Sequence, residues 1–310
     1  MADLLHLVDK PEGWTSHDAV ARLRSVLREE RIGHAGTLDP FASGLLLMGE
    51  GRATGALAPL GLLPKRYRAR ARLGIVTDTQ DRTGVVLSRT DDVPDECQIE
   101  GALARFRGAI RQTPPLYSAV RVKGERLYHA ARRGEDVERQ DRPVHVYELA
   151  LEDANLPEIT LDLTVSRGTY VRTIAHDLGE ALGCGAHLVG LRRLGSGPFR
   201  AEEALSCDRA EGHGERDFRD RAMPLRRALA FLPRVELTAE EASGLRHGRA
   251  PALARERVIE PDETWPLPPG ERGWPLALSD QAGEVMGLAK PWHEQVEGVP
   301  AKLLRVFVGS

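Results

Sequence analysis

One stretch of the chain has residue types and spacing suited to chemistry. Arg31-Ile32-Gly33-His34-Ala35-Gly36-Thr37-Leu38-Asp39-Pro40-Phe41-Ala42-Ser43-Gly44 carries three glycines, one histidine and a single carboxylate. Gly33, Gly36 and Gly44 open backbone conformations that side chains forbid, so the run reads as a shaped loop. Pro40 lacks an N–H and pushes Asp39 away from the α region. An aspartate, with a reference pKa of about 3.9, is ionised at neutral pH and can act covalently without an activating base. The plainer reading is a turn with a capping aspartate, which an isolated Asp-Pro favours.

The elements that must position this loop are legible on both sides of it. Leu4 to Val8 is a short apolar strand, followed by Asp9-Lys10-Pro11-Glu12-Gly13-Trp14. Thr15 and Ser16 offer an N-cap, and Val20, Leu23 and Leu27 then form one helical stripe that delivers the chain to Asp39. Phe41 to Met48 is apolar enough to anchor the loop to a core. From Arg66 to Leu73 the sequence alternates, with Arg66, Arg68, Arg70 and Arg72 on one face and Tyr67, Ala69, Ala71 and Leu73 on the other. Tyr67 is then either a core tyrosine or one that faces a cleft. Gly74 to Gly84 reads as a polar loop whose last acid is Asp81.

Pro94 and Asp95 open a helix with Ile99, Leu103 and Phe106 on one side, ending near Gly108. Ile159, Leu161, Leu163 and Val165 mark a one-sided strand. An extended Thr169–Arg172 segment would put Tyr170 and Arg172 on one face, before a helix from Thr173 to Leu182 closed by Gly183 and Gly185. Beyond residue 228 the texture changes. Thr238-Ala239-Glu240-Glu241 is a capping box, residues 251–275 hold six prolines and read as loop, 276–289 reads as a hairpin, and Leu303 to Val308 as a last strand.

The length, 310 residues, suits one large domain plus a small one. No apolar run approaches the ~18 residues of a membrane helix, and the N-terminus lacks a basic n-region. Three widely spaced cysteines fit a reducing compartment. These features predict a soluble cytoplasmic protein with no membrane partner. The net charge of −3 argues against a polyanion as partner, but its distribution does not. Segments 201–220 and 256–284 are acidic, whereas 65–72, 121–142 and 189–200 are rich in bases. Cys184-x-x-His187 with His176 nearby lacks a fourth ligand at sensible spacing, so no metal is expected.

Several separated motifs, in order, resemble the tRNA pseudouridine-55 synthases of the TruB family. Gly33-His34-x-Gly36-x-Leu38-Asp39-Pro40 is similar to the loop that carries the family's catalytic aspartate. Lys65-Arg66-Tyr67, the Gly74–Gly84 run, Pro114-x-x-Tyr117-Ser118-Ala119, Gly168-Thr169-Tyr170-Val171-Arg172 and Gly183-Cys184-Gly185-Ala186-His187 with Leu191-Arg192-Arg193-Leu194 match further blocks. The resemblance covers nearly all of residues 4–200. One departure is Gly55, where the family often has lysine.

The resemblance implies an α+β pseudouridine synthase fold: a mixed, mostly antiparallel sheet with flanking helices and a central cleft, over residues 1–228. It also implies a mobile thumb at about 121–142 and a small β-rich PUA-like domain over 229–310. It implies isomerisation of uridine 55 in the T-arm of tRNA on a flipped-out base, by a monomer without cofactor, beside a role in tRNA folding. Asp39 is implied as nucleophile and Tyr67 as the residue that stacks on the base and relays the C5 proton. Arg172 is implied to orient the aspartate, with Tyr170 supporting that pair. Leu191 is expected on the pocket wall and His34 against the RNA, and Lys10, Asp81 and Arg193 are further substrate-binding candidates. A non-catalytic RNA-folding protein and an aspartyl-nucleophile hydrolase are the competing classes. The joint presence of Asp39, Tyr67 and Arg172 speaks against the first, and the absence of a D-x-D signature against the second.

Overall fold

The computed structural model describes residues 3–118, 121–122, 125–126 and 139–307. Most of the expected thumb, including Arg132 and Arg133, lies outside the described residues. The chain divides into two compact units, one of Met1–Pro40, Gly44–Leu63 and Gly197–Ser310, the other of Phe41–Ser43 and Pro64–Ser196.

The first unit begins with β1 (Leu4–Lys10), α1 (Ser16–Leu27), β2 (Ile32–His34), β3 (Ser43–Glu50) and α2 (Leu57–Leu62). Thr15 caps α1 in a capping box with Asp18, and Arg28 closes it in the left-handed region. β1 and β2 each pair antiparallel with β3. β3 is buried along nearly its whole length because alternate residues feed two cores. Leu46 and Met48 pack with Val20, Leu23 and Leu27 of α1. Leu45 and Leu47 pack with Leu60 and Leu63.

The second unit is built on β4 (Lys65–Leu73), as the alternation predicts, with burial changing at every residue. It continues through the β5 (Ile75–Thr77) and β6 (Val86–Arg89) hairpin, α3 (Glu96–Leu103), β7 (Gly108–Gln112), β8 (Arg142–Asn155), β9 (Glu158–Val165), α4 (Val171–Ala181) and β10 (Ala186–Ser196). The strands run antiparallel in the order β10-β4-β9-β8-β7. Two expectations are corrected. The Gly74–Gly84 loop is part of the β5–β6 hairpin, and its run Val85, Val86 and Leu87 is exposed. Helix α4 starts at Val171, not Thr173, so Tyr170 is its N-cap and Arg172 lies in its first turn, not on a strand. The cause is a distant clamp. Gln112 Oε1 accepts from the Tyr170 N–H at 2.7 Å while its Nε2 donates to the Tyr170 carbonyl at 3.0 Å.

Residues after Gly197 return to the first unit. α5 (Glu215–Arg221) packs Phe218 into the α1 cluster. A second sheet follows, of β11 (Arg234–Glu236), β12 (Val258–Ile259), β13 (Leu276–Ser279), β14 (Val285–Ala289) and β15 (Leu303–Val306), in the order β12-β11-β13-β14-β15. The Thr238 capping box opens α6 (Ala239–Arg246) as expected. α6 covers one face of this sheet with Ala242 and Leu245 against Val235, Leu278 and Met286. From the other face Ala277, Leu288 and Phe307 join the cluster that contains Leu45, Leu47 and Leu60.

Candidate active site

The Asp39 loop belongs to the first unit and is held on both sides of the aspartate. Gly36 takes φ 98° and Gly44 φ 107°, values open to glycine at little cost. The Leu38 N–H donates to Ser16 Oγ at 2.8 Å, and that hydroxyl donates to the Leu38 carbonyl at 3.2 Å. On the far side, the Gly13 N–H donates to the Pro40 carbonyl at 2.8 Å. Asp39 between them stays partly exposed. His34, half-buried, ends β2 opposite Met48.

Lys10, one of the substrate-binding candidates, is fully buried. Its Nζ donates to the carbonyls of Pro11 at 2.8 Å and Trp14 at 2.7 Å. It thereby holds the turn whose Gly13 reaches Pro40.

The remaining candidates lie in the second unit in two groups. Tyr67 of β4 and Leu191 and Arg193 of β10 share one sheet face, since Arg193 is in register with Tyr67 and Leu191 with Ala69. The Arg193 guanidinium carbon stands 5.9 Å from the Tyr67 ring centre, within cation–π range. Lys65 is on the same face, and burial together with the charges of Arg193 and Arg167 lowers its pKa from 10.5 to about 7.

Arg172, Asp81 and Tyr170 form the second group. Arg172 is buried, donating from Nη1 to the Thr79 carbonyl at 2.9 Å and from Nη2 to the Tyr117 carbonyl at 3.0 Å. Asp81 Oδ2 lies 3.4 Å from Arg172 Nη1. Asp81 Oδ1 accepts from Thr79 Oγ1 at 2.8 Å and from the Thr83 N–H and hydroxyl at 2.9 and 2.5 Å. This carboxylate, expected on the substrate, therefore fixes the arginine and its own loop. Gln80 adopts φ 63°, and its Oε1 accepts from Thr173 Oγ1 at 2.9 Å, tying the loop to α4. The Tyr170 ring stacks under the Arg142 guanidinium at 4.8 Å and lies 5.9 Å from that of Arg172.

On the outer face of β4 the base-rich run noted in the sequence is matched by acids. Arg66 makes a two-pronged pair with Asp162 at 3.0 and 2.9 Å, and Arg68 a two-pronged pair with Glu152. Arg70 pairs with Glu158 at 2.8 Å, with Arg72 near the same carboxylate at 3.8 Å. The arginine ladder is thus answered by acids of β8 and β9.

Gln112, Ser16 and Gln80 are absent from the sequence-based site. Nothing in their local sequence marks them, because each acts on a backbone or hydroxyl group brought close only by folding. Ser16 is visible from sequence as a cap candidate, but Thr15 takes that role. Among the described residues no cluster of His, Cys, Asp and Glu could hold a metal ion, and no helix is long and apolar enough to cross a membrane.

Comparison with known proteins places the chain among relatives. The family model for the N-terminal domain of TruB family pseudouridylate synthases matches residues 24–171, and that for the tRNA pseudouridylate synthase B C-terminal domain matches residues 172–229. A Geobacter sulfurreducens protein named tRNA pseudouridine synthase B is 42% identical over 97% of this chain and 98% of its own. A Burkholderia mallei protein of the same name is 44% identical over 98% and 97%. Among solved structures, that of a Cbf5-Nop10-Gar1 complex superposes with a TM-score of 0.73 at 29% identity, covering 99% of this chain and 85% of that one. An H/ACA RNP bound to a substrate RNA containing 2'-deoxyuridine gives 0.70 at 26% identity, over 98% and 85%. With near-full-length relatives, both family models and the shared fold in agreement, this chain belongs to the TruB family of pseudouridylate synthases.

Proposed function

We propose that this chain, a pseudouridine synthase and hence an isomerase, converts uridine 55 in the T-arm of tRNA to pseudouridine with Asp39 as nucleophile. The relatives that match it end to end are named tRNA pseudouridine synthase B, which supports tRNA as substrate. The observation that carries the residue assignment is the Asp39 loop. Ser16 and Gly13 hold the residues on either side of the aspartate, and Asp39 itself is partly exposed. A carboxylate held in a fixed place is what a covalent role requires.

The reaction breaks N1–C1′ and forms C5–C1′ within one nucleoside, removes the proton from C5 and adds one at N1. Attack of Asp39 at C1′, attack at C6 of the base, and an aspartate-assisted glycal all need an ionised carboxylate and a pocket that retains the detached base. Tyr67 is assigned to stack on the uracil and relay the C5 proton, with Leu191 lining the same face. Arg172 supplies a positive charge whose position is set by protein carbonyls and Asp81. His34 contacts the RNA. The enzyme acts as a cytoplasmic monomer, and residues 229–310 form its PUA-like part.

Asp39→Asn keeps the shape and removes the nucleophilic anion. Release of tritium from C5-labelled uridine in tRNA should slow by at least ~10⁴-fold, about 5.5 kcal/mol of barrier. Binding of tRNA should stay within a few-fold. Near-wild-type turnover in this variant would overturn the assignment.

A further inference from the structure

We propose that Arg31 and Arg305 together form an RNA phosphate-binding site on the unit that carries the Asp39 loop. This rests on tRNA being the substrate. The two arginines come from opposite ends of the chain and settle on one short turn. Arg31 leads into β2, and its Nε donates to Thr54 Oγ1 at 3.3 Å. That hydroxyl is itself fixed, donating to the Gly51 carbonyl at 2.8 Å. Arg305 lies on β15, the edge strand of the second sheet. Its stem lies over Gly55: a Cβ there would stand 2.8 Å from Arg305 Cγ and 3.1 Å from its Cδ. Thr54 and Gly55 are consecutive, with Cα atoms about 3.8 Å apart, so the two side chains rest on neighbouring residues of one turn.

Charge separates this pair from most other arginines of the protein. Both are exposed, and among the described residues neither makes an ion pair. Arg52, in the same turn, is neutralised by Asp3. The acid two residues before Arg31, Glu29, has Oε1 engaged by the Arg31 backbone N–H at 2.8 Å. Two guanidinium forks remain whose stems are already ordered, and a planar fork suits phosphate oxygens. Prior ordering reduces the entropy lost on binding. β2 then runs from this site to His34, three residues or about 10 Å away at ~3.3 Å per residue. An RNA strand that presents a base to the Asp39 loop can therefore rest its backbone on Arg31 and Arg305.

The test is a titration of tRNA binding against KCl for wild type, Arg31→Gln, Arg305→Gln and the double variant, with Arg70→Gln of the paired ladder as control. Each single change should flatten the slope of log affinity against log salt by about 0.7–0.9, and the double by about twice that. Single-turnover pseudouridine formation at saturating tRNA should stay within about threefold. Arg31→Lys with Arg305→Lys should keep most of the slope. An unchanged slope in the double glutamine variant overturns the site. So does a lysine pair that loses as much as the glutamine pair, since the effect would then come from packing. Failure of the site leaves wild-type pseudouridine formation intact, whereas failure of the proposed function removes it from the wild-type protein itself.

Discussion

The two faces of β4 carry positive charge to opposite ends. On the outer face Arg66, Arg68, Arg70 and Arg72 stand in partial solvent, matched by Asp162, Glu152 and Glu158 of the neighbouring strands. On the inner face Lys65 and Tyr67 are buried beside Arg193. There, low polarity and like charge push Lys65 toward its neutral form. A count of bases along the strand sees one basic patch. The fold makes of it a balanced ladder of pairs, each worth about 0–1 kcal/mol, and a sparse buried face where one proton changes the local field. Basic residues report a nucleic-acid surface only where the fold leaves them unanswered.

The inner face offers the largest effect with which to sharpen this contrast. Tyr67→Phe keeps the ring and deletes the hydroxyl. A proton-relay role predicts that single-turnover pseudouridine formation slows by about 10²–10⁴-fold, with tRNA binding and the thermal midpoint unchanged. Tyr67→Leu should lose at least as much. A phenylalanine variant within tenfold of wild type would leave the ring with stacking alone. A fall in stability without a catalytic defect would return Tyr67 to the core.

A smaller effect on the same face concerns Lys65 and has a definite sign. In the unfolded chain this lysine titrates near 10.5 and in the folded protein at about 7. Between those values the unfolded state binds more protons, so stability rises as pH rises, by up to ~1.4 kcal/mol per pH unit. Below about 7 both states are protonated and this dependence vanishes. The difference in unfolding free energy between wild type and Lys65→Met, measured by urea denaturation from pH 6 to about 10, should show that rise. A flat difference would mean that the buried lysine keeps its proton, and the two faces would then differ less than their burial suggests.

The smallest effect belongs to the outer ladder. Arg68→Gln should cost less than about 1 kcal/mol of stability and leave both tRNA affinity and its salt dependence unchanged. A salt slope reduced by nearly one unit would place RNA on the ladder and break the contrast altogether.

Much of this protein was legible before any fold was known. The period-two burial of β4 and β9, the N-cap before α1, the capping box at Thr238 and the glycine turns at Gly36 and Gly44 follow from local sterics and short-range hydrogen bonds. Those forces act within a few residues, so the sequence carries them openly. The position of Asp39 in a shaped loop was legible for the same reason.

What only the tertiary structure decided is which group answers which. Arg66 meets a carboxylate 96 residues away. Gln112 shifts the start of α4 from 58 residues away, and Lys10 turns inward to the carbonyls of Pro11 and Trp14. Such pairings depend on strand register and on which face of a sheet is buried, and both are set by the packing of the whole chain. The residue types of the site could be read along the chain, but their partners, burial and protonation arise from long-range packing that no local window contains.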